Sequence, residues 1–90
     1  MTDITATCTY YENVIGNLKL ITIVTSSAAA SSDTIDLGSD GAFPKIDTIL
    51  NTLLQDDAGA DKSCTWDPAT GIITLGTITT GIHNLTVIGI

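Results

Sequence analysis

The residues able to do chemistry are few. His83 is the single histidine, Cys8 and Cys64 are the only thiols, and nine aspartates with one glutamate face three lysines and no arginine, for a net charge of -7 over 90 residues. Nucleophilic catalysis needs a serine or cysteine held against a base. No motif such as G-x-S-x-G ties either to His83, and the neighbouring Gly81 and Asn84 predict a solvent-exposed loop for that histidine. Cys8 and Cys64 stand 56 positions apart without a second pair, which excludes the usual zinc spacings and leaves free, buried thiols as the expectation, with a disulfide as the alternative. Asp33, Asp36 and Asp40, then Asp56, Asp57 and Asp61, gather where turns are expected. The run from Asp56 to Asp61 concentrates hard oxygen ligands of the kind calcium takes, but it lacks the alternate acids and closing glutamate of an EF-hand loop. These acids are expected to solvate loops. No catalytic, cofactor-binding or metal-ligating residue is assigned, no cofactor is expected, and the chain is read as non-enzymatic.

The charge balance also bears on partners. Affinity for a phosphate backbone comes mainly from lysine and arginine, so an acidic chain with three lysines is a poor match for nucleic acid or an anionic membrane surface. No secretory signal and no apolar run long enough for a membrane-spanning helix is visible. The aromatics Tyr10, Tyr11, Phe43 and Trp66 are too few and too dispersed for a stacking platform, although Tyr11 is placed to join a contact surface.

The elements that position these residues are mostly strands. Sixteen threonines and thirteen isoleucines make a β-rich composition. Ile4 to Tyr10 alternates, with Ile4, Ala6, Cys8 and Tyr10 on one side and Thr5, Thr7, Thr9 and Tyr11 on the other, and predicts a strand. Thr5, Thr7 and Thr9 form no repeating coil of the kind an ice-binding face requires. A turn region from Glu12 to the Gly16-Asn17 pair leads to a second strand, Leu18 to Thr25, whose phase changes between Leu20 and Ile21 and predicts a bulge or burial on both faces. Ser26 to Ser32 is expected to be a loop without a core anchor, Asp33 to Leu37 a short strand, and Gly38 to Gly41 a turn.

Over 44–55 the period changes. Ile46, Ile49, Leu50, Leu53 and Leu54 fall on one helical face and Pro44 suits a first helical position, so a short amphipathic helix is predicted, although Ile46, Thr48, Leu50, Thr52 and Leu54 also alternate as a strand would. Trp66-Asp67-Pro68-Ala69-Thr70-Gly71-Ile72 is the clearest hairpin signal, with Asp67 accepting from the turn backbone, Gly71 at positive φ, and Trp66 and Ile72 as neighbours. Asn84 to Ile90 closes the pattern, with Leu85, Val87 and Gly89 opposing Thr86, Ile88 and Ile90. The reading is a single mainly β domain over 1–90, a small antiparallel β-sandwich or barrel of about six strands with one short helix at about 44–55.

The order of the Leu18 to Thr25 strand, the Asp33-Thr34-Ile35-Asp36-Leu37 strand, the hairpin from Thr65 to Leu75 and the strand Asn84 to Ile90 resembles that of small β-sandwich structural proteins of virions, such as phage capsid decoration or cement proteins. The resemblance implies a virion component made in the host cytoplasm, which acts through homo-oligomeric contacts and contacts with other virion proteins. It carries no site residues. A small ligand- or carbohydrate-binding β-sandwich module is the alternative.

Overall fold

The computed structural model describes residues 2–38 and 45–90. It is mainly β, in two antiparallel sheets, and its helical content is a single 3-10 turn at Thr5–Thr7. Strands β1 (Thr9–Ile15), β2 (Leu18–Val24), β4 (Ile49–Asp56), β5 (Asp61–Lys62) and β8 (His83–Gly89) make a five-stranded sheet in the order β1-β2-β8-β4-β5. Strands β3 (Thr34–Asp36), β6 (Cys64–Trp66) and β7 (Ile72–Leu75) make a three-stranded sheet in the order β3-β7-β6. The larger sheet ends at β1 and β5 and does not close into a barrel.

One core joins the two sheets. Ile21 and Ile23 of β2, Leu85 and Val87 of β8, and Ile49 and Leu54 of β4 meet Ile35 of β3 and Ile73 and Leu75 of β7, all fully or nearly fully buried. In β2, β7 and β8 alternate residues face the core, as in a pleated strand covered on one face, whereas in β4 the buried Ile49 and Leu54 are of opposite parity.

The predicted helix over 44–55 is absent. Pro44 lies outside the described residues, and Ile49–Asp56 is strand β4, held antiparallel to β8 from Ile49↔Gly89 to Asp56↔His83. Of the five apolar residues assigned to one helical face, Ile46, Ile49 and Leu54 are buried while Leu50 and Leu53 are exposed. A shift of register between Ile49 and Asn51 explains why the period misleads: one extra residue in β4 changes which side chains face the core, so the apolar spacing departs from two and imitates a helix. Thr48, Asn51 and Thr52 add little helix propensity, and pairing with a strand some thirty residues later decides the outcome.

The bulge is thus in β4, and β2 has none: it runs in unbroken register with β1 from Leu18 to Val24 and with β8 from Lys19 to Val24. The first strand also begins later than expected. Asp3 accepts hydrogen bonds from the backbone N–H and the hydroxyl of Thr5, and Thr7 N–H donates to the Ile4 carbonyl, which winds Thr5–Thr7 into a turn. The strand then spans Thr9–Ile15 and absorbs Glu12 and Asn13, leaving only Gly16-Asn17 as the turn. The loop expected over Ser26 to Ser32 does have a core anchor, since Ala29 is completely buried and its carbonyl accepts from Gly81 N–H. Of the turn expected at 38–41, only Gly38 is described.

The hairpin near Trp66 follows its expected chemistry. Asp67 Oδ1 accepts from Ala69 N–H at 2.8 Å and Thr70 N–H at 3.3 Å, and Gly71 has φ +73°. A Cβ on Gly71 would also fall 2.6 Å from the Gly38 nitrogen, so two constraints require glycine there. The pairing is offset by one residue from the expected neighbours: Trp66 stands opposite Ile73, not Ile72.

Candidate functional site

His83 is placed differently from the exposed loop position expected for it. It begins β8 and is 2% exposed, on the same strand face as buried Leu85 and Val87. Its backbone is clasped to Thr25: His83 N–H donates to Thr25 Oγ1 at 2.9 Å, and Thr25 N–H donates to the His83 carbonyl at 3.0 Å. Ring Nδ1 lies 3.0 Å from the Gly81 carbonyl, while buried Nε2 has no hydrogen-bond partner among the described residues. The signal that could have found this burial was the period itself, since His83 lies two residues before Leu85 and extends the Leu85, Val87, Gly89 series by one position.

Asp56 stands opposite His83 in the β4–β8 ladder, beside an open hollow lined by Asp57, Lys62, Thr79 and Thr80. Its Oδ1 accepts from Ala58 N–H at 3.0 Å and Ala60 N–H at 2.9 Å, and its Oδ2 lies 3.8 Å from Lys62 Nζ. The hydrogen bond from Ala60, with smaller help from Ala58, Lys62 and His83, holds this carboxyl below the usual aspartate range. The carboxylate is thereby committed to closing the β4–β5 loop. Asp61 accepts from Gln55 Nε2 at 3.0 Å on the other side of the same loop. Among the described residues, no three histidine, cysteine or acidic side chains come together in a way that could hold a metal ion.

Asp33 and Asp36 are engaged as well. Asp33 is 5% exposed, and its two carboxylate oxygens accept from Thr2 N–H at 3.2 Å and Ala30 N–H at 2.9 Å. It ties the N-terminal segment to the Ser26 to Ser32 loop rather than solvating a turn. Asp36 Oδ1 accepts from Gly38 N–H, and Asp40 lies outside the described residues. The two cysteines are free and half-buried. Cys8 Sγ sits 3.3 Å from the Ile4 carbonyl, and burial pushes its thiol above the ordinary value, which keeps it protonated. Cys64 Sγ lies 3.1 Å from Thr52 Oγ1.

The largest coherent surface is the outer face of the five-stranded sheet. Because Ile21, Ile23, Leu85, Val87 and Leu54 point to the core, the alternate residues point away from it, and the strand registers align them in rows. One row reads Asn13, Leu20, Ile88 and Asn51 across β1, β2, β8 and β4, and the next reads Tyr11, Thr22, Thr86 and Leu53. Ile15 and Leu18 extend the face at one end, with Thr9, Val24, Asn84 and Gln55 at the other. No charged side chain occupies any of these positions on the four strands, and Tyr11, Ile15, Leu18 and Leu53 are all more than 40% exposed. Tyr11 does stand on a threonine-bearing face, now supplied by Thr22 and Thr86 of the neighbouring strands. Comparison of the chain with known protein families, curated proteins and solved structures found no match. The surface must therefore be interpreted on its own chemistry.

A β-strand brings alternate side chains to one face whatever their chemistry, so the exclusion of charge from so many positions in a chain of net charge -7 is a property of the face. The face is uncharged and mixed, with the exposed apolar side chains Tyr11, Ile15, Leu18 and Leu53 set among threonine, asparagine and glutamine. The sequence alone leads to the expectation of a working surface made of a sheet face or edge plus the loops at Ser26 to Ser32 and Asp56 to Asp61, and it does not locate the face, because the rows form only once β2 lies between β1 and β8.

Proposed function

We propose that the chain is a non-enzymatic structural subunit, a small β-sandwich that works through contacts between its copies and with a larger symmetric lattice, as a virion decoration or cement protein would. The observation that carries this reading is the outer face over β1, β2, β8 and β4, which bears no charged side chain, the nearest charge on that side being Asp61 of β5 at the far edge, so burying the four-strand face against another protein desolvates no ionised group. The state of the reactive side chains supports the non-enzymatic part: the His83 ring is buried, the Cys8 thiol is kept protonated, and the Asp56 carboxylate is engaged by backbone N–H groups. The resemblance of the strand and turn order to virion structural proteins supports the lattice.

The alternative of a carbohydrate-binding module draws less support. Trp66, the ring best suited to stacking on a sugar, is half-buried and packs against the core, beside an open hollow lined by Thr65, Asp67 and Thr70.

Light scattering across a concentration series tests the proposal. The wild-type chain is expected to associate in the micromolar range, and Leu53→Lys, which places a charge in the middle of the face, is expected to weaken association or particle binding about tenfold or more while the melting temperature stays within a few degrees. A strict monomer at every concentration that also fails to bind particles would remove the reading.

A further inference from the structure

The five-stranded sheet has one edge that is ready to be extended. β1 is at the end of the strand order, so among the described residues no strand pairs with its outer side. Which of its backbone groups face outward follows from the register. Thr25 N–H donates to the His83 carbonyl, which continues the β2–β8 ladder and shows that the odd-numbered residues of β2 direct their backbone groups at β8. The even-numbered residues Leu18, Leu20, Thr22 and Val24 therefore bond to β1, through their partners Ile15, Asn13, Tyr11 and Thr9. The same assignment follows from the two-residue turn at Gly16-Asn17, whose flanking pair Ile15 and Leu18 must be hydrogen-bonded. Tyr10, Glu12 and Val14 are left with N–H and C=O groups directed away from the sheet.

This edge carries almost none of the usual protection. Edge strands are normally short, or bear lysine, proline or a bulge. β1 has seven residues, no lysine or proline, an unbroken register with β2 and a single charge, Glu12. Tyr11, Val14 and Ile15 are each more than 60% exposed. The strand is also self-complementary. Its outward residues 10, 12 and 14 are symmetric about Glu12, so a two-fold axis through that position sets Tyr10 against Val14, Val14 against Tyr10, and Glu12 against its own copy.

We propose that β1 pairs antiparallel with β1 of a second copy about this axis, forming about six backbone hydrogen bonds and joining the two five-stranded sheets into one. This rests on the self-association read above and names its first contact. Joining the sheets also merges the uncharged parts of their outer faces, over β1, β2, β8 and β4, into one continuous surface of doubled extent. A seven-residue edge contact is smaller than a standard protein interface, so the dimer is expected at micromolar and not nanomolar concentration. Glu12 against Glu12 is the one unfavourable cross-strand pair, and it limits affinity without disturbing the register.

The test uses the difference between the two sides of β1. Glu12→Pro removes an N–H that faces outward and is compatible with an edge strand, so it is expected to abolish dimerisation while the melting temperature changes little. Asn13→Pro removes an N–H that faces β2 and should destabilise the fold itself. Glu12→Gln removes the like-charge pair and should tighten the dimer about two- to fivefold. Amide exchange by NMR reads the same prediction in the unmodified chain: the amides of Tyr10, Glu12 and Val14 become protected as concentration rises, whereas those of Tyr11 and Asn13 are protected throughout. If Glu12→Pro folds and still associates, or if the three outward amides exchange freely in the oligomer, β1 pairing is wrong and self-association through another surface stands. If the wild-type chain never associates, both fall.

Discussion

β1 and β8 are both seven-residue strands of the same sheet, yet they carry opposite burdens. In β8, His83, Leu85, Val87 and Gly89 are buried in strict alternation and both backbone edges are paired, to β2 and β4. In β1 only Tyr10 is better than exposed, and its hydroxyl reaches back to the Thr5 carbonyl at 2.6 Å. Burial and the neighbouring Cys8 push that phenol above its ordinary value, which keeps the hydroxyl a donor at neutral pH. Composition does not explain the contrast, because Val14 and Ile15 are as apolar as Leu85 and Val87. What differs is position in the sheet: β8 lies at its centre and sends alternate residues into the shared core, whereas β1 lies at its edge and only Tyr10 of the strand packs against that core.

The largest effect that could break this comparison is a paired truncation. Leu85→Ala in β8 is expected to cost about 2–5 kcal/mol, and Val14→Ala in β1 within about 0.5 kcal/mol, both by urea denaturation. Equal losses would mean that β1 is covered in the monomer. A smaller effect belongs to the segment that leads into the sheet from the N-terminal side. Asp33→Ala leaves the N–H groups of Thr2 and Ala30 without their acceptor and is expected to cost about 1–3 kcal/mol, with faster proteolysis of residues 2–8 as the accompanying sign.

The smallest effect concerns the far edge, where β5 is only two residues long and closed by Asp56. The folded-state pKa of Asp56 is depressed, chiefly by the Ala60 hydrogen bond, so its contribution is fully present above the unfolded value near 4 and is lost as pH falls through the folded value. Asp56→Asn should therefore lower the melting temperature slightly at pH 7 and lose that effect once the pH has fallen below the folded value, which flattens the acid limb of the profile. A pH-independent difference between the two proteins would show that Asp56 acts through packing alone.

The features legible in the sequence were those written in a few consecutive residues. The Asp67 to Gly71 turn could be read because side-chain acceptor, proline and positive-φ glycine all lie within five positions. Gly16-Asn17 and the alternating strand that ends at Gly89 were legible for the same reason. Features that depend on a distant partner were not. Ile49–Asp56 imitates a helix because its bulge is accommodated by β8, and His83 looked like a turn residue because Gly81 and Asn84 flank it, although the core side of β8 begins there. Asp33 looked like loop solvation because Thr2, one of its two hydrogen-bond donors, is brought to it only by the fold, while Ala30, the other, lies three residues away in a stretch with no turn signature. The outer face was illegible for a different reason, since its rows are made across strands and each strand contributes only alternate residues.

The strand at the centre of the larger sheet is also the last of its strands to be synthesised. Until His83–Gly89 leaves the ribosome, β2 has only its hairpin partner β1, and β4 has only the two-residue β5. The nascent chain thus holds two open strand edges, and the core residues that pack on Leu85 and Val87 lack those partners, through the synthesis of the preceding segments, so the larger sheet is completed only at a late step. Folding of this chain is expected to be slow for its length and sensitive to crowding by other nascent copies, because the same unpaired strands are available to them.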